Sequence, residues 1–192
     1  MTRIYLASRS PRRAELLQQI GVDFIVLPAD IDESVYNAES ATDYVQRLAW
    51  QKAEACVQGL QVLDMPVLAA DTTVCVEGAI LGKPEDDDEA YAMLAAMSGR
   101  WHEVHTAIAL ADSQGLELAL STTRVKMGEL PPELIAAYVA SGEPRDKAGA
   151  YGIQGLGGTL IERIEGSYSG VMGLPLFETA RLLRKYGFAI PA

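Results

Sequence analysis

Basic side chains occupy the first turn of a predicted helix near the start of the chain. Ser10 can cap this helix and Pro11 suits its first position. Arg12 and Arg13 follow, although the helix dipole favours acidic residues there. Because a helix N-terminus presents unpaired N–H groups, a bound phosphate would reverse that penalty. The segment from Ser8 onward therefore predicts a phosphate site without the glycines of a Walker loop; solvated arginines on a capped helix are the alternative.

A single carboxylate interrupts an otherwise apolar and β-branched strand predicted at 67–76. Asp71 lies inside this run, and burying an unpaired carboxylate costs several kcal/mol. We therefore expect Asp71 at the strand end, paired with a cation or bound to a metal. A structural salt bridge or a turn is the alternative.

Two lysines stand where the local pattern does not require them. Lys52 falls on the apolar stripe of a helix predicted at 41–57, so it either snorkels to solvent or meets an anion. Lys83 lies between a glycine and a proline after a short strand, in a rigid loop that is either part of a site or a surface turn.

Two further residues have the chemistry of ligand recognition. Glu33 follows Asp30 and Asp32 in an irregular acidic loop that can bind Mg²⁺ or remain solvated. Gln154 lies in a glycine-rich segment, where the backbone can approach a ligand closely. Its amide both donates and accepts hydrogen bonds, as recognition of a nucleobase requires, and a flexible loop without a ligand is the alternative.

The composition limits the class of partner. The formal net charge of −10 over 192 residues disfavours nucleic-acid binding. The arginines near the start nevertheless favour a small anionic ligand. Cys56 and Cys75 are interpreted as buried core residues in a reducing compartment. No apolar run approaches the roughly 18 residues of a membrane span, so we expect a cytoplasmic protein without a membrane partner.

The mixture of helical and strand patterns predicts one α/β domain over residues 1–192, with a mixed twisted sheet flanked by helices. Helices are expected from Pro11 to the glycine at 21 and at 41–57, 87–97, 131–140 and 175–186. Strands are expected at 4–7, 24–27, 67–76, 101–111, 116–125 and 159–164, with a short return to Leu81.

Taken together, the sequence resembles the Maf family of nucleotide pyrophosphatases. The matching segments are 6–13, 32–33, 49–53, 70–72, 82–84 and 146–155. The resemblance implies a Maf/ITPase-like fold with two lobes around a central cleft. It also implies a hydrolase acting on a phosphoanhydride bond, which uses a divalent metal to convert a nucleoside triphosphate to its monophosphate and pyrophosphate.

The resemblance extends to individual residues. The family's proton-accepting acid falls on Asp71, and its specificity positions fall on Arg12, Thr72 and Gln154, as in the branch that acts on dTTP and UTP. Clearance of modified nucleotides and a link to cell-division arrest are further implications of the family. A homodimer is a separate expectation.

The predicted mechanism is attack by a metal-activated water on the α-phosphorus. Arg12, Arg13, Lys52 and Lys83 are assigned to the triphosphate with help from Ser8, while Glu33 and Asp71 are assigned to Mg²⁺ or Mn²⁺. Nearby cations are expected to hold the pKa of Asp71 below about 3.9, which favours metal binding over a general-base role. A nucleotide-binding regulator without catalysis and a pyrophosphatase for purine or modified triphosphates are the alternatives.

Overall fold

The computed structural model describes residues 3–190 as a mixed sheet flanked by helices. The strands are β1 (Arg3–Leu6), β2 (Asp23–Val26), β3 (Val67–Val76), β4 (Ala79–Leu81), β5 (Trp101–Asp112), β6 (Gly115–Met127) and β7 (Ile161–Glu165). The helices are α1 (Pro11–Gln19), α2 (Ala41–Gly59), α3 (Asp87–Met97), α4 (Pro132–Ala140), α5 (Tyr168–Met172) and α6 (Leu176–Lys185). The predicted mixed α/β class is confirmed.

The sheet joins a parallel part to an antiparallel part. Its strand order is β2-β1-β3-β5-β6-β7, with β4 paired to the far end of β3. Strand β1 runs parallel to both β2 and β3, whereas β3, β5, β6 and β7 are successive antiparallel neighbours. The long β5–β6 hairpin therefore lies in the antiparallel part, between β3 and β7.

A gap opens on one side of β3. Strand β1 pairs with β3 only where Tyr5 faces Val67 and Leu6 faces Leu68. Strand β4 pairs with β3 only from Val74 onward. Among the described residues, 69–73 thus have a strand neighbour only on the β5 side. This gap explains how a carboxylate can interrupt a long apolar strand.

Small side chains bring α2 close to one face of the sheet. Ala49 and Ala53 of α2 pack with Ala69 of β3 and with Ala107 and Ala109 of β5, and all five are fully buried. Because alanine lets two backbones approach closely, Lys52, which lies between Ala49 and Ala53 on α2, reaches the sheet at the gap.

On the opposite face, a row of hydroxyls separates two apolar cores. One core packs α1 and α6 on the residues around Leu68 and Leu110. The other packs α3 and α4 on those around Val74 and Val104. Thr72, Thr106 and Ser121 lie between them, in register across β3, β5 and β6. Thr72, at one end of this row, lines the cleft, and the two cores on either side of the row are separate apolar clusters.

Some predicted features differ from the structure. The glycine-rich segment and the residues just before it contain α5 and 3-10 turns at Glu143–Asp146, Ala148–Ala150 and Gly155–Leu160, which the lack of periodicity concealed. Both cysteines are free, but Cys75 is only partly buried, so the core interpretation holds for Cys56 alone. Within residues 3–190, no helix combines the length and apolarity that a membrane crossing requires.

A buried histidine anchors the segment that leads into the glycine-rich loop. His102 in β5 is 3% exposed, and its Nε2 lies 2.6 Å from the hydroxyl oxygen of Tyr151. Burial lowers the pKa of His102 to about 4, so its imidazole is neutral at pH 7.

The free energy of unfolding is expected to depend on His102 in acid. The unfolded histidine takes up a proton below its ordinary pKa of 6.5, whereas the folded one does so only near 4. The stabilisation is thus present above pH 6.5 and lost as the pH falls, by up to about 3 kcal/mol. Denaturant titrations should show wild type losing this amount relative to His102→Gln between pH 7 and 4; parallel pH curves would contradict the assignment.

Candidate active site

A cavity of about 620 Å³ occupies the gap beside β3. It is lined by segments from α1, the loop after β2, α2, β3, the turn after β4 and the glycine-rich region. The structure thus brings together the side chains predicted to act, which are Ser8, Arg12, Arg13, Glu33, Lys52, Asp71, Thr72, Lys83 and Gln154.

Lys52 joins the two acids of the cavity. Its Nζ lies 2.7 Å from Oδ1 of Asp71 and 2.6 Å from Oε1 of Glu33. Asp71 is 7% exposed and extends the β3 face on which α2 packs. Lys52 therefore meets anions rather than snorkelling to solvent, and these anions belong to the protein itself.

The pKa of Asp71 moves in the direction opposite to the expectation. Burial raises it, and the opposing charges of Lys52 and Arg13 do not fully offset that effect. The prediction of a pKa below the ordinary value is therefore wrong, because the cost of desolvating this carboxylate exceeds the gain from two nearby cations. A low pKa was the reason to favour metal binding over a general-base role for Asp71, and the raised pKa removes that reason.

Glu33 responds differently because it is more exposed. Burial tends to raise its pKa, but the hydrogen bond and charge of Lys52, with the charges of Lys83 and Arg13, lower it overall. The two carboxylates therefore differ in pKa, with Glu33 ionised and Asp71 more easily protonated. Such a difference in pKa is typical of sites that move protons.

Protein contacts fix the guanidinium of Arg13. Its Nε donates to the carbonyl of Gly173 at 2.8 Å, while its Nη1 and Nη2 donate to the hydroxyls of Ser8 at 3.0 Å and Thr72 at 3.2 Å. Since a guanidinium carries five N–H groups, two remain for a ligand. The pre-set orientation reduces the entropy lost on binding an anion.

Thr72 extends this network through the hydroxyl row. Its Oγ1 lies 2.9 Å from Oγ1 of Thr106, which donates to the carbonyl of Gly170 at 2.8 Å. Asp71 and Thr72 are neighbours in a strand, so they point to opposite faces of the sheet. One therefore joins Lys52 while the other joins Arg13, and the gap exposes both to the same cavity.

Arg12 connects the two sides of the cleft. Its Nη1 lies 3.1 Å from Oδ2 of Asp146, whose Oδ1 is 2.6 Å from Nζ of Lys147. Asp146 and Lys147 also line the cavity. Sequence reasoning gave them no role, although a charge pair directly before the glycine-rich stretch was an available signal.

Lys83 and Gln154 complete the wall with unengaged polar groups. Lys83 is exposed in the turn after β4, and Gln154 is partly buried before the third 3-10 turn. Neither side chain has a hydrogen-bond partner among the described residues, so each can turn to a ligand without breaking a protein contact.

The two carboxylates fit a magnesium-type ion better than zinc. Residues 3–190 contain no group of three or more histidine, cysteine or acidic side chains arranged to hold a metal. Glu33 and Asp71 instead supply a pair of oxygen donors. Mg²⁺ characteristically takes one or two carboxylates and completes its coordination with water and phosphate oxygens.

Comparison with known proteins identifies the fold and the family of this chain. The structure of the Staphylococcus aureus Ham1 protein superposes with a TM-score of 0.54, at 13% identity over 97% of this chain and 100% of that one, which shows a shared fold. The Maf-like protein family model matches residues 3–186, so the chain belongs to the Maf family. The predicted membership is confirmed.

Relatives with assigned activities are similar over nearly their whole length. The dTTP/UTP pyrophosphatase of Methylobacillus flagellatus is 78% identical over 191 residues, covering 100% of this chain and 96% of the relative. The dTTP/UTP pyrophosphatase of Bordetella parapertussis is 55% identical, covering 98% and 95%. That of Hahella chejuensis is 52% identical, covering 98% and 94%.

Removing the shared cation should destabilise the fold. In Lys52→Met, Asp71 and Glu33 lose their common partner, and we expect a loss of about 3 kcal/mol in the free energy of unfolding without added metal. Adding Asp71→Asn should recover much of that loss, because the buried charge is then absent.

Denaturant titration of both variants measures this coupling, and Lys185→Met is the matched control. Lys185 pairs with Glu117 at the exposed end of α6, where a salt bridge contributes less than about 1 kcal/mol. Equal losses in Lys52→Met and Lys185→Met would show that Lys52 does not neutralise a buried carboxylate.

Proposed function

We propose that this protein is a nucleoside triphosphate pyrophosphatase that converts dTTP and UTP to their monophosphates and pyrophosphate. The observation that carries the proposal is a single cleft in which Arg12, Arg13 and Lys83 surround the acid pair of Glu33 and Asp71. The names of the relatives at 78% and 55% identity support the same activity and bases.

The cationic side chains are proposed to bind the triphosphate. Arg13 is held by three protein acceptors and keeps two N–H groups for phosphate oxygens. Lys83 has no competing hydrogen-bond partner within residues 3–190, and Ser8 holds Arg13 at the start of α1. Neutralisation and alignment of the phosphates contribute most of the catalysis in reactions of this kind.

Glu33 and Asp71 are proposed to hold a divalent cation, Mg²⁺ or Mn²⁺. The chemistry that such an ion supplies is neutralisation of phosphate charge and activation of a water molecule. Lys52 neutralises the same carboxylates in the structure. When those carboxylates are otherwise neutralised, Lys52 can donate to a phosphate oxygen.

Asp71 has two candidate roles in this proposal. As a metal ligand Asp71 provides a carboxylate oxygen, together with Glu33. As a proton acceptor it benefits from the upward shift of its pKa that burial causes. Its contact with Lys52 supports an ionised carboxylate that is ready for either role. The reaction proceeds by attack of water at the α-phosphorus with pyrophosphate as the leaving group.

Base selection is proposed to rest mainly on Gln154. Its amide can match part of the donor and acceptor pattern of uracil or thymine. Thr72 contributes through Arg13, because its hydroxyl is bonded to that guanidinium and to Thr106. Arg12 contributes from the side of the cleft that is linked to Asp146.

The wider biological statements remain predictions from the family resemblance. They are the clearance of modified nucleotides and a link to cell-division arrest. The cytoplasmic location, predicted from the sequence, and a homodimer likewise stay predictions. A regulator without catalysis is the main alternative from another class. It is less well supported, because the relatives at 78% and 55% identity are named as pyrophosphatases.

A nucleotide panel tests the activity. With Mg²⁺ or Mn²⁺, we expect UTP and dTTP to be cleaved faster than CTP, GTP and ATP, and cleavage to stop when the metal is chelated. Mass spectrometry should identify monophosphate and pyrophosphate as the products. Binding of UTP without turnover would support the non-catalytic regulator. Faster cleavage of a purine triphosphate than of UTP and dTTP would show that the preferred substrates are purine nucleotides.

The variant Asp71→Asn separates the two roles of this acid. If Asp71 chiefly holds the metal, the Mg²⁺ concentration for half-maximal activity should rise by about tenfold or more, since a neutral amide is a weaker ligand. The measurement is a Mg²⁺ titration of the initial rate with UTP. Unchanged metal dependence with a collapsed kcat would instead identify Asp71 as the proton acceptor.

A further inference from the structure

The loop that carries Gln154 is closed by direct contact between two glycine backbones. A Cβ atom placed on Gly157 would lie only 2.1 Å from the carbonyl oxygen of Gly152. The two ends of the 152–157 segment therefore touch, and Gln154 lies between them. Any side chain at 157 would force this loop open.

Glu143 binds one end of this loop with both carboxylate oxygens. The amide of Leu156 donates to Oε2 at 2.9 Å, and the amide of Gly157 donates to Oε1 at 2.9 Å. A Cβ atom placed on Gly155 would approach Oε2 to 2.8 Å, so the carboxylate lies directly against the loop. An ionised acceptor makes these backbone bonds stronger than neutral ones.

Tyr138 in α4 binds the other end of the loop and also holds Glu143. Its hydroxyl donates to Oε1 of Glu143 at 3.0 Å and accepts from the amide of Gly152 at 3.3 Å. Neither Tyr138 nor Glu143 lines the cavity. Their contacts with the loop are therefore made from behind it, without reaching the space for a nucleotide.

The orientation of the Gln154 amide determines which base it selects. Uracil presents an N–H donor beside its carbonyls, whereas cytosine presents a ring-nitrogen acceptor beside an amino donor. A glutamine amide can present its oxygen or its nitrogen, so discrimination requires that the amide meet the base at a defined distance and angle. Fixing the backbone on both sides of Gln154 defines the point from which its side chain reaches the base, and thus the angle at which the amide meets it.

We infer that Glu143 and Tyr138 are positioning residues for base selection, acting through the 152–157 loop on Gln154. The inference rests on the proposed function, because it concerns the discrimination between UTP and CTP. It assigns specificity to a carboxylate that does not touch the nucleotide.

The test compares kcat and KM for UTP and CTP in wild type, Glu143→Gln and Tyr138→Phe. In Glu143→Gln, one carboxylate oxygen is replaced by an amide NH₂ group. That group faces a backbone N–H donor and cannot accept its hydrogen bond. The preference for UTP over CTP should fall about tenfold, chiefly through the KM for UTP, while kcat changes by less than about threefold. Tyr138→Phe should shift the preference in the same direction by a smaller factor.

Three further variants exclude a merely structural effect. Gln154→Ala should lose at least as much preference as Glu143→Gln, and the double variant should lose no more than Gln154→Ala alone, since both act through one side chain. Glu133→Gln, at an exposed position of α4 with no side-chain hydrogen bond among the described residues, should leave the preference unchanged.

Additive losses in the double variant would overturn the inference, as would an unchanged preference in both Glu143→Gln and Tyr138→Phe. If Glu143→Gln does not fold, Tyr138→Phe decides alone. The affinities of wild type and variants for α,β-methylene UTP and CTP, measured by calorimetry, provide a readout that needs no turnover. Absence of cleavage by wild type would then refute the proposed function separately from the positioning role.

Discussion

The salt bridge of Lys52 with Asp71 and Glu33 is the interaction on which the site depends. A carboxylate this buried costs several kcal/mol without a partner. Its partner comes from α2, which reaches the sheet closely because alanines line the contact. The charge pair therefore requires both the close packing of α2 and the gap beside β3. The arrangement also keeps two oxygen donors ionisable beside a cleft.

The second face of the sheet supports a different part of the site. There Thr72 and Thr106 form a hydroxyl row between two apolar cores, and Arg13 closes the row from α1. An apolar row would have merged the cores and left no polar anchor for a guanidinium. Strand alternation thus places the guanidinium of Arg13 on one face and the acid pair with Lys52 on the other, although Asp71 and Thr72 are adjacent in the chain.

Four of the predicted site residues were recognisable because each violates a local rule. Arg12 and Arg13 oppose the helix dipole, Asp71 interrupts an apolar strand, and Lys52 stands on an inward-facing stripe. The residues that act from behind the site violate no such rule. Glu143 resembles any acid near a turn, and its role follows only from its contacts with the amides of Leu156 and Gly157.

The sequence by itself determined the α/β class, most element positions and the set of polar side chains that could not be explained by packing. Periodicity and charge placement are local properties, so they can be read along the chain. Only the tertiary structure decided the gap beside β3, the partner of each charge and the upward shift in the pKa of Asp71. Those depend on desolvation and on contacts between residues far apart in sequence, and no local pattern encodes how deeply a carboxylate is buried.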